Sequence, residues 1–201
     1  MKTLTAVLFA GGESRRMGRD KATLLLNGEP LWARQLRVLR ELSPEAILIS
    51  ARARPIWCPT QIEVVLDVPP SRGPLSGLAA ALKRIQTTHL LAFAVDLPEM
   101  TSTHLKKLWS LANPGIGVVP QNGIFPEPLS AIYPVEGLRA VELTLATNDA
   151  SMQGVIRRLT SRKQIYYYQI KRSERAAYEN VNAAEQWNQR ATTHSPHGHF
   201  T

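Results

Sequence analysis

An α/β fold with a parallel sheet covered on both faces is predicted by three features of the sequence. Short runs of Val, Ile and Leu alternate with stretches of helical periodicity along the first two thirds of the chain. One of these runs, Leu90 to Val95 (LLAFAV), has no polar alternation, which is expected of a central strand buried on both sides. The 201 residues, 44% hydrophobic and 20% charged, suffice for a single domain with a core of its own.

Strands are expected at Thr5 to Ala10, Ala46 to Ser50, Glu63 to Leu66 and Leu90 to Val95, with helices at Leu31 to Leu42, Pro74 to Gln86 and Ser102 to Leu111. Pro30 after the Asn27-Gly28 turn, and Pro74 after Gly73, suit a first helical turn. Arg34, Arg37 and Arg40 recur at helical spacing opposite Leu36 and Leu39 and read as a solvated face. Beyond residue 114 the pattern predicts strands at Gly115 to Pro120, Leu129 to Tyr133 and Gln164 to Ile170, and helices at Val135 to Ala146 and Met152 to Leu159. Tyr166 to Tyr168 and Trp32 read as packing residues. Asn182, three residues before Glu185, has the spacing of a capping box. A single domain over 1–190 follows, with no repeat and no linker. Residues 191–201 form a tail with three of the five His residues, whose composition is that of a disordered terminus.

Composition excludes several classes. One Cys rules out a disulfide scaffold, and Cys58 reads as a small buried hydrophobe. No apolar run nears the ~20 residues that span a bilayer. The opening MKTLTAVLFAGG is followed at once by Arg15, Arg16, Arg19, Asp20 and Lys21, which argues against a signal peptide and for a cytoplasmic protein. The net charge of +8 suits anionic partners in general, so placement of the cations must decide among them.

Four cations crowd the loop after the first strand, Ala10-Gly11-Gly12-Glu13-Ser14-Arg15-Arg16-Met17-Gly18-Arg19-Asp20-Lys21. It matches neither the G-x-G-x-x-G dinucleotide fingerprint nor the P-loop. Its chemistry nevertheless suits a phosphate: glycines let backbone N–H groups come close to an anion, Arg offers a fork and Lys a point charge. Asp96 follows the most buried strand, where open α/β sheets place their ligand crevice, and a hard oxygen ligand there suits Mg2+. Asp67 follows another strand, ahead of a Pro-Pro turn. Gly73, Pro74, Leu75, Ser76 and Gly77 begin a helix whose positive end is expected to face the same crevice.

The run LFAGGESRRMGRDK resembles the L-A-G-G-x-S-x-R-M-G-x-D-K signature of the molybdenum cofactor guanylyltransferases, within the wider nucleotidyltransferase superfamily. LLLNGEPLW, VVLDVPPSRGPLSGL, FAVDLPEM, FPEPLSAIY and NVNAAE follow in the family's order, so the resemblance spans residues 3 to about 188. It implies a Rossmann-like three-layer sandwich with a mostly parallel central sheet. It also implies transfer of GMP from GTP to the terminal phosphate of molybdenum-bearing molybdopterin, with Mg2+ bound and pyrophosphate released.

Carried over by position, Leu8, Phe9, Ala10, Gly11 and Gly12 line the nucleotide, and Arg16 and Lys21 hold its phosphates. Asp67 lies beside the nucleoside, Asp96 binds Mg2+, and Asn180 and Asn182 lie near the molybdopterin. Cofactor insertion and delivery proteins are implied partners; nucleic acid and membrane are not. Where many family members carry Asn after the second strand, ILISAR has Ser50, which cannot present an amide to a purine edge. Gly11 favours guanine, since the cytidylyltransferases of the same cofactor usually have Ala there. The rival readings are a nucleotidyltransferase using CTP or another phosphorylated acceptor, a basic nucleic-acid-binding protein, and a GTP sensor that does not complete transfer.

Overall fold

The computed structural model describes residues 1–10, 20–67 and 70–181. In chain order the strands are β1 (Leu4–Phe9), β2 (Leu25–Leu26), β3 (Glu29–Pro30), β4 (Ala46–Ala51), β5 (Glu63–Leu66), β6 (His89–Ala94), β7 (Gly117–Asn122), β8 (Phe125–Pro126), β9 (Ser130–Pro134) and β10 (Ile165–Gln169). The α-helices are α1 (Leu31–Arg40), α2 (Pro74–Arg84), α3 (Ser102–Leu111), α4 (Leu138–Leu145) and α5 (Met152–Ser161).

The main sheet has the order β10-β7-β9-β6-β1-β4-β5, with β8 paired to β7. β5, β4, β1 and β6 run parallel, as do β7 and β10, while β9 is antiparallel to both β6 and β7. The sheet is thus mostly parallel, and the α/β Rossmann-like class expected from the sequence is the one observed. LLAFAV is central, as its lack of alternation predicts: all six residues of β6 are buried.

Side-chain alternation along the strands separates two cores. Leu4, Ala6 and Leu8 of β1, with Leu91 and Phe93 of β6, join α1 (Leu31, Leu36, Leu39) and α3 (Leu105, Leu108) on one face. Val7 and Phe9, with Leu90 and Ala92, join α2 (Leu75, Leu78, Leu82), α4 (Val141) and α5 (Val155, Ile156, Leu159) on the other. Two buried layers of helix on one sheet give the three-layer sandwich.

Several boundaries differ from the sequence expectation. α1 starts at Leu31 as expected but ends at Arg40, two residues early, and Pro30 is its extended N-cap at the end of the β2–β3 hairpin, not part of its first turn. That hairpin turns at Asn27 and Gly28, both with positive φ (51° and 82°). The expected helix at Val135 to Ala146 is split into a 3-10 turn at Val135–Gly137 and α4, with Gly137 packed on Leu159. A 3-10 helix at Arg172–Tyr178 has no counterpart in the sequence reading. Arg34 is half-buried rather than solvated, because its Nε donates to the Pro98 carbonyl at 2.8 Å. The Tyr run alternates between the two cores, Tyr167 packing against one and buried Tyr168 joining the other, while Tyr166, expected to pack, is 49% exposed. Cys58 is a free, buried thiol, and burial pushes its pKa up. No helix among the described residues is long and apolar enough to cross a membrane.

Candidate active site

Strand order reverses at β1: the chain goes to β4 and β5 on one side, and α2 then carries it back to β6 on the other. Ligand crevices of open α/β sheets lie at the carboxyl end of such a switch point. The backbone opens there in a defined way. Ala10 N–H still donates to the Ser50 carbonyl (3.1 Å), while the Phe9 carbonyl accepts from Val95 N–H (3.1 Å). Ala10, the last described residue before the cation-rich run, therefore sits between the ends of β4 and β6. Gly11, Gly12 and Arg16 lie in this loop, outside the described residues, as does Asn182 near the C-terminus.

The chain re-enters at Asp20. Its Oδ1 accepts from Ala22 N–H (2.9 Å) and caps a short 3-10 turn, Lys21–Thr23, while its Oδ2 accepts from Trp57 Nε1 (2.8 Å). Trp57 stacks on Trp32 with centroids 5.4 Å apart. Both carboxylate oxygens of Asp20 thus fix the turn that carries Lys21. From it Lys21 Nζ reaches Asp96 Oδ2 at 3.0 Å, across 75 residues of sequence. Both side chains are a quarter or less exposed.

Asp67 follows β5 and keeps the ladder going, its N–H donating to the Ala51 carbonyl. Its Oδ2 accepts from Ser71 Oγ (2.7 Å), and Ser71 Oγ in turn accepts from Gly73 N–H (3.2 Å). Ser76 Oγ accepts from Arg72 N–H (2.8 Å). Gly73, at φ 64°, makes a left-handed step that a side chain would strain, and Pro74 then opens α2.

This construction presses Gly77 against the end of the sheet. A Cβ there would overlap Ser50 Oγ and lie 3.0 Å from Phe9 Cε1 and 3.2 Å from Asp67 Oδ1. Phe9, Ser50, Asp67 and Gly77 are thereby brought together. Ser50 is buried under α2, so its hydroxyl helps build the wall of the crevice.

Two expected lining residues are not brought to the crevice. Leu8 is fully buried and its backbone is paired to Ile49 on one side and Phe93 on the other. Leu75 points into the core beneath α2. Pro74 is exposed at the first turn of that helix.

Val181 N–H donates to the Asp96 carbonyl at 3.0 Å, which ties the residue after the exposed Asn180 to the backbone that carries Asp96. A partly buried network anchors the segment that ends there. Tyr168 OH (2.6 Å) and Lys107 Nζ (2.8 Å) donate to Glu174, whose Oε2 also accepts from Lys171 N–H, and His104 Nε2 is 2.6 Å from Tyr178 OH. Burial alone would raise the Glu174 pKa, but these donors outweigh it and hold it at about 2. Burial lowers the His104 pKa, which keeps the ring neutral near pH 7.

No cluster of three or more His, Cys, Asp or Glu side chains that could hold a metal occurs among the described residues. A lone hard carboxylate is still a donor set that suits Mg2+ where substrate phosphate oxygens and water complete its coordination. Gln35, Ser71 and Trp57 were not singled out in the sequence, Arg34 was read as part of a solvated face, and Asp20 was named only within the cation-rich run. Gln35 alone left a signal, as a polar residue on the apolar stripe Leu31, Gln35, Leu39 of α1.

Comparison with known proteins agrees with this geometry. The chain is 37% identical to a probable molybdenum cofactor guanylyltransferase of Opitutus terrae, over 90% of this chain and 92% of that protein. It is 31% identical to a molybdenum cofactor guanylyltransferase of Xanthomonas euvesicatoria pv. vesicatoria, over 91% and 92%. Its fold superposes on a nucleotidyl transferase from Methanothermobacter thermautotroptrophicus with TM-score 0.77 at 15% identity, covering 96% and 98% of the two chains. It also superposes on molybdopterin-guanine dinucleotide biosynthesis protein A from Archaeoglobus fulgidus with TM-score 0.70 at 20% identity, covering 94% and 97%. Residues 6–164, from inside β1 to the start of β10, match the MobA-like NTP transferase domain, and the chain belongs to that nucleotidyltransferase family.

Proposed function

We propose that this nucleotidyltransferase transfers GMP from GTP to the terminal phosphate of molybdenum-bearing molybdopterin, releasing pyrophosphate and forming the guanine dinucleotide form of the cofactor. The observation that carries the reading is the convergence of the Lys21–Asp96 pair, Asp67 and the Gly77 wall on one switch-point crevice, in a chain whose relatives bear the guanylyltransferase name.

The reaction is an in-line displacement. A phosphate oxygen of the acceptor forms a bond to the α-phosphorus of GTP, and the bond from that phosphorus to the bridging oxygen of pyrophosphate breaks. The acceptor is already an oxyanion, so no general base is required, and the protein's work is positioning and neutralisation. Lys21 supplies a point charge to the phosphates, with Arg16 as a second cation in the loop. Phe9, Ala10, Gly11 and Gly12 at the end of β1 bring backbone to the nucleotide.

Asp67, braced by Ser71, and the Gly73–Gly77 start of α2 flank the nucleoside. Asn180, next in the chain to the Val181 that bonds the Asp96 backbone, is assigned to the acceptor side, together with Asn182. Asp96 is the carboxylate that would hold Mg2+, which supplies charge neutralisation on the phosphate oxygens when bound.

Guanine is favoured over cytosine by Gly11. The test is pyrophosphate release with molybdenum-loaded molybdopterin and Mg2+ in parallel reactions with GTP, CTP and ATP. Release with GTP alone is expected. Release with CTP alone would replace guanylyl by cytidylyl transfer, and no release with any nucleotide would overturn the acceptor.

A further inference from the structure

Residues Val95 to Pro98 connect β6 to α3 without regular structure, yet their four carbonyls all accept hydrogen bonds from distant elements. Gln35 Nε2 donates to Leu97 O at 2.7 Å and, more weakly, to Val95 O at 3.4 Å. Val181 N–H takes Asp96 O and Arg34 Nε takes Pro98 O. Two adjacent residues of α1 therefore clasp the carbonyls on both sides of the Asp96 side chain.

Gln35 is fully buried, and its Oε1 has no hydrogen-bond partner among the described residues. With carbonyl oxygens at both bonding positions, the amide has to present its nitrogen to them, because an oxygen there would face oxygen. A buried polar group left half-satisfied is costly unless the bonds it does make are needed. An apolar residue would complete the stripe between Leu31 and Leu39 but would remove the donor from α1. The Leu97 carbonyl would be left with the local Met100 N–H at 3.2 Å, so the tie between α1 and the Asp96 segment at Leu97 would be lost.

We propose that Gln35, with Arg34 beside it, is a positioning residue that sets the Asp96 carboxylate for the phosphates and the metal ion. The inference rests on the reading of Asp96 given above. Gln35 touches no reacting atom: it acts through the backbone on which Asp96 is mounted, as residues behind a metal ligand characteristically do. Its placement on α1 also couples the Asp96 loop to the β2–β3 hairpin, which leads directly into that helix.

The test uses the full chain carrying Gln35→Met, which keeps the volume and removes the amide, with Arg34→Ala and Asp96→Asn in parallel. Three quantities are read: kcat and KM for GTP in the transferase reaction, Mn2+ binding to the GTP complex by electron paramagnetic resonance, and melting temperature. Gln35→Met is expected to lose ~10- to 100-fold in kcat, with Mn2+ affinity reduced by a similar factor. KM for GTP should stay within about threefold, because the nucleoside wall lies on β5 and α2.

Wild-type kcat and Mn2+ affinity in Gln35→Met, whatever its melting temperature, would overturn the proposal. If that variant does not fold, Arg34→Ala decides: lower Mn2+ affinity at an unchanged melting temperature supports the inference, and unchanged affinity overturns it. Asp96→Asn separates the two levels. Full activity there would remove the reading of Asp96 and this inference with it; loss there with a fully active Gln35→Met would remove only the inference.

Discussion

Replacing Gly77 by Ala tests whether the start of α2 is built as tightly against the switch point as the structure indicates. In an exposed helix the change would stabilise the fold by ~1 kcal/mol, since Ala is the better helix former. Here the new methyl overlaps Ser50 Oγ and falls 3.0 Å from Phe9 Cε1 and 3.2 Å from Asp67 Oδ1. Turning the Ser50 hydroxyl away relieves the first contact only. The other two still require α2 to move outward by a few tenths of an ångström.

Overpacking of this kind costs ~1–3 kcal/mol, so a net loss of about 1 kcal/mol is expected in urea denaturation, with a raised KM for GTP. In the double variant Ser50→Ala, Gly77→Ala the hydroxyl is gone. The two changes should therefore be non-additive, with a coupling of ~1 kcal/mol in the direction of rescue. A Gly77→Ala protein as stable as wild type, with strictly additive energies in the double variant, would refute the reasoning.

Other consequences are equally direct. Lys21→Met should lower the rate of GMP transfer ~10²- to 10³-fold while leaving the melting temperature nearly unchanged, as expected for loss of one placed charge stabiliser; turnover within tenfold of wild type would remove that role. At Gly117 a Cβ would overlap the Ile132 carbonyl oxygen and lie 2.9 Å from Pro134 Cδ. Gly117→Ala should therefore cost ~3 kcal/mol or more in denaturation, because backbone has to move where β7 meets β9. Glu174 has its folded pKa lowered to about 2 from a usual 4.5, so its contribution is complete above pH 4.5 and is lost as pH falls toward 2. After allowance for solvent screening this amounts to ~1–2 kcal/mol. Glu174→Gln should flatten the stability profile over that window, which acid titration of the melting temperature would read.

Much of the sheet could be read in the sequence because the strands obey simple burial rules. LLAFAV lacks alternation because both helical layers cover it, and the parallel class follows from such runs separated by helices. Harder to read were elements whose reason is tertiary. The two-residue strands β2, β3 and β8 carry no periodicity at all. The antiparallel β9 is inserted between β6 and β7 by chain topology, which residue patterns do not encode. Residues 172–178 adopt a 3-10 helix held by the nearby Tyr168 and by Lys107 and His104, which lie far away in sequence.

The same division holds at the site. Asp67 and Asp96 could be placed from their positions after strands, and Lys21 from the density of charge around it. The Lys21–Asp96 pairing spans 75 residues and had no local sign. Leu8 shows the opposite error: a motif suggested a lining residue, but central-strand geometry pairs its backbone on both sides and buries its side chain. Ser50 looked like a weakened base contact; its burial under α2 makes it part of the wall.

The most direct measurement follows the α-phosphorus itself. GTP labelled at the α-phosphate is incubated with Mg2+ and molybdenum-loaded molybdopterin, with wild-type protein and with Asp96→Asn, and the label is located by mass and chromatography. The account predicts that wild type moves the label into a cofactor guanine dinucleotide in step with pyrophosphate release, and that folded Asp96→Asn moves ~10²-fold less or none. Label transferred by Asp96→Asn at the wild-type rate would contradict the central role of the Lys21–Asp96 crevice.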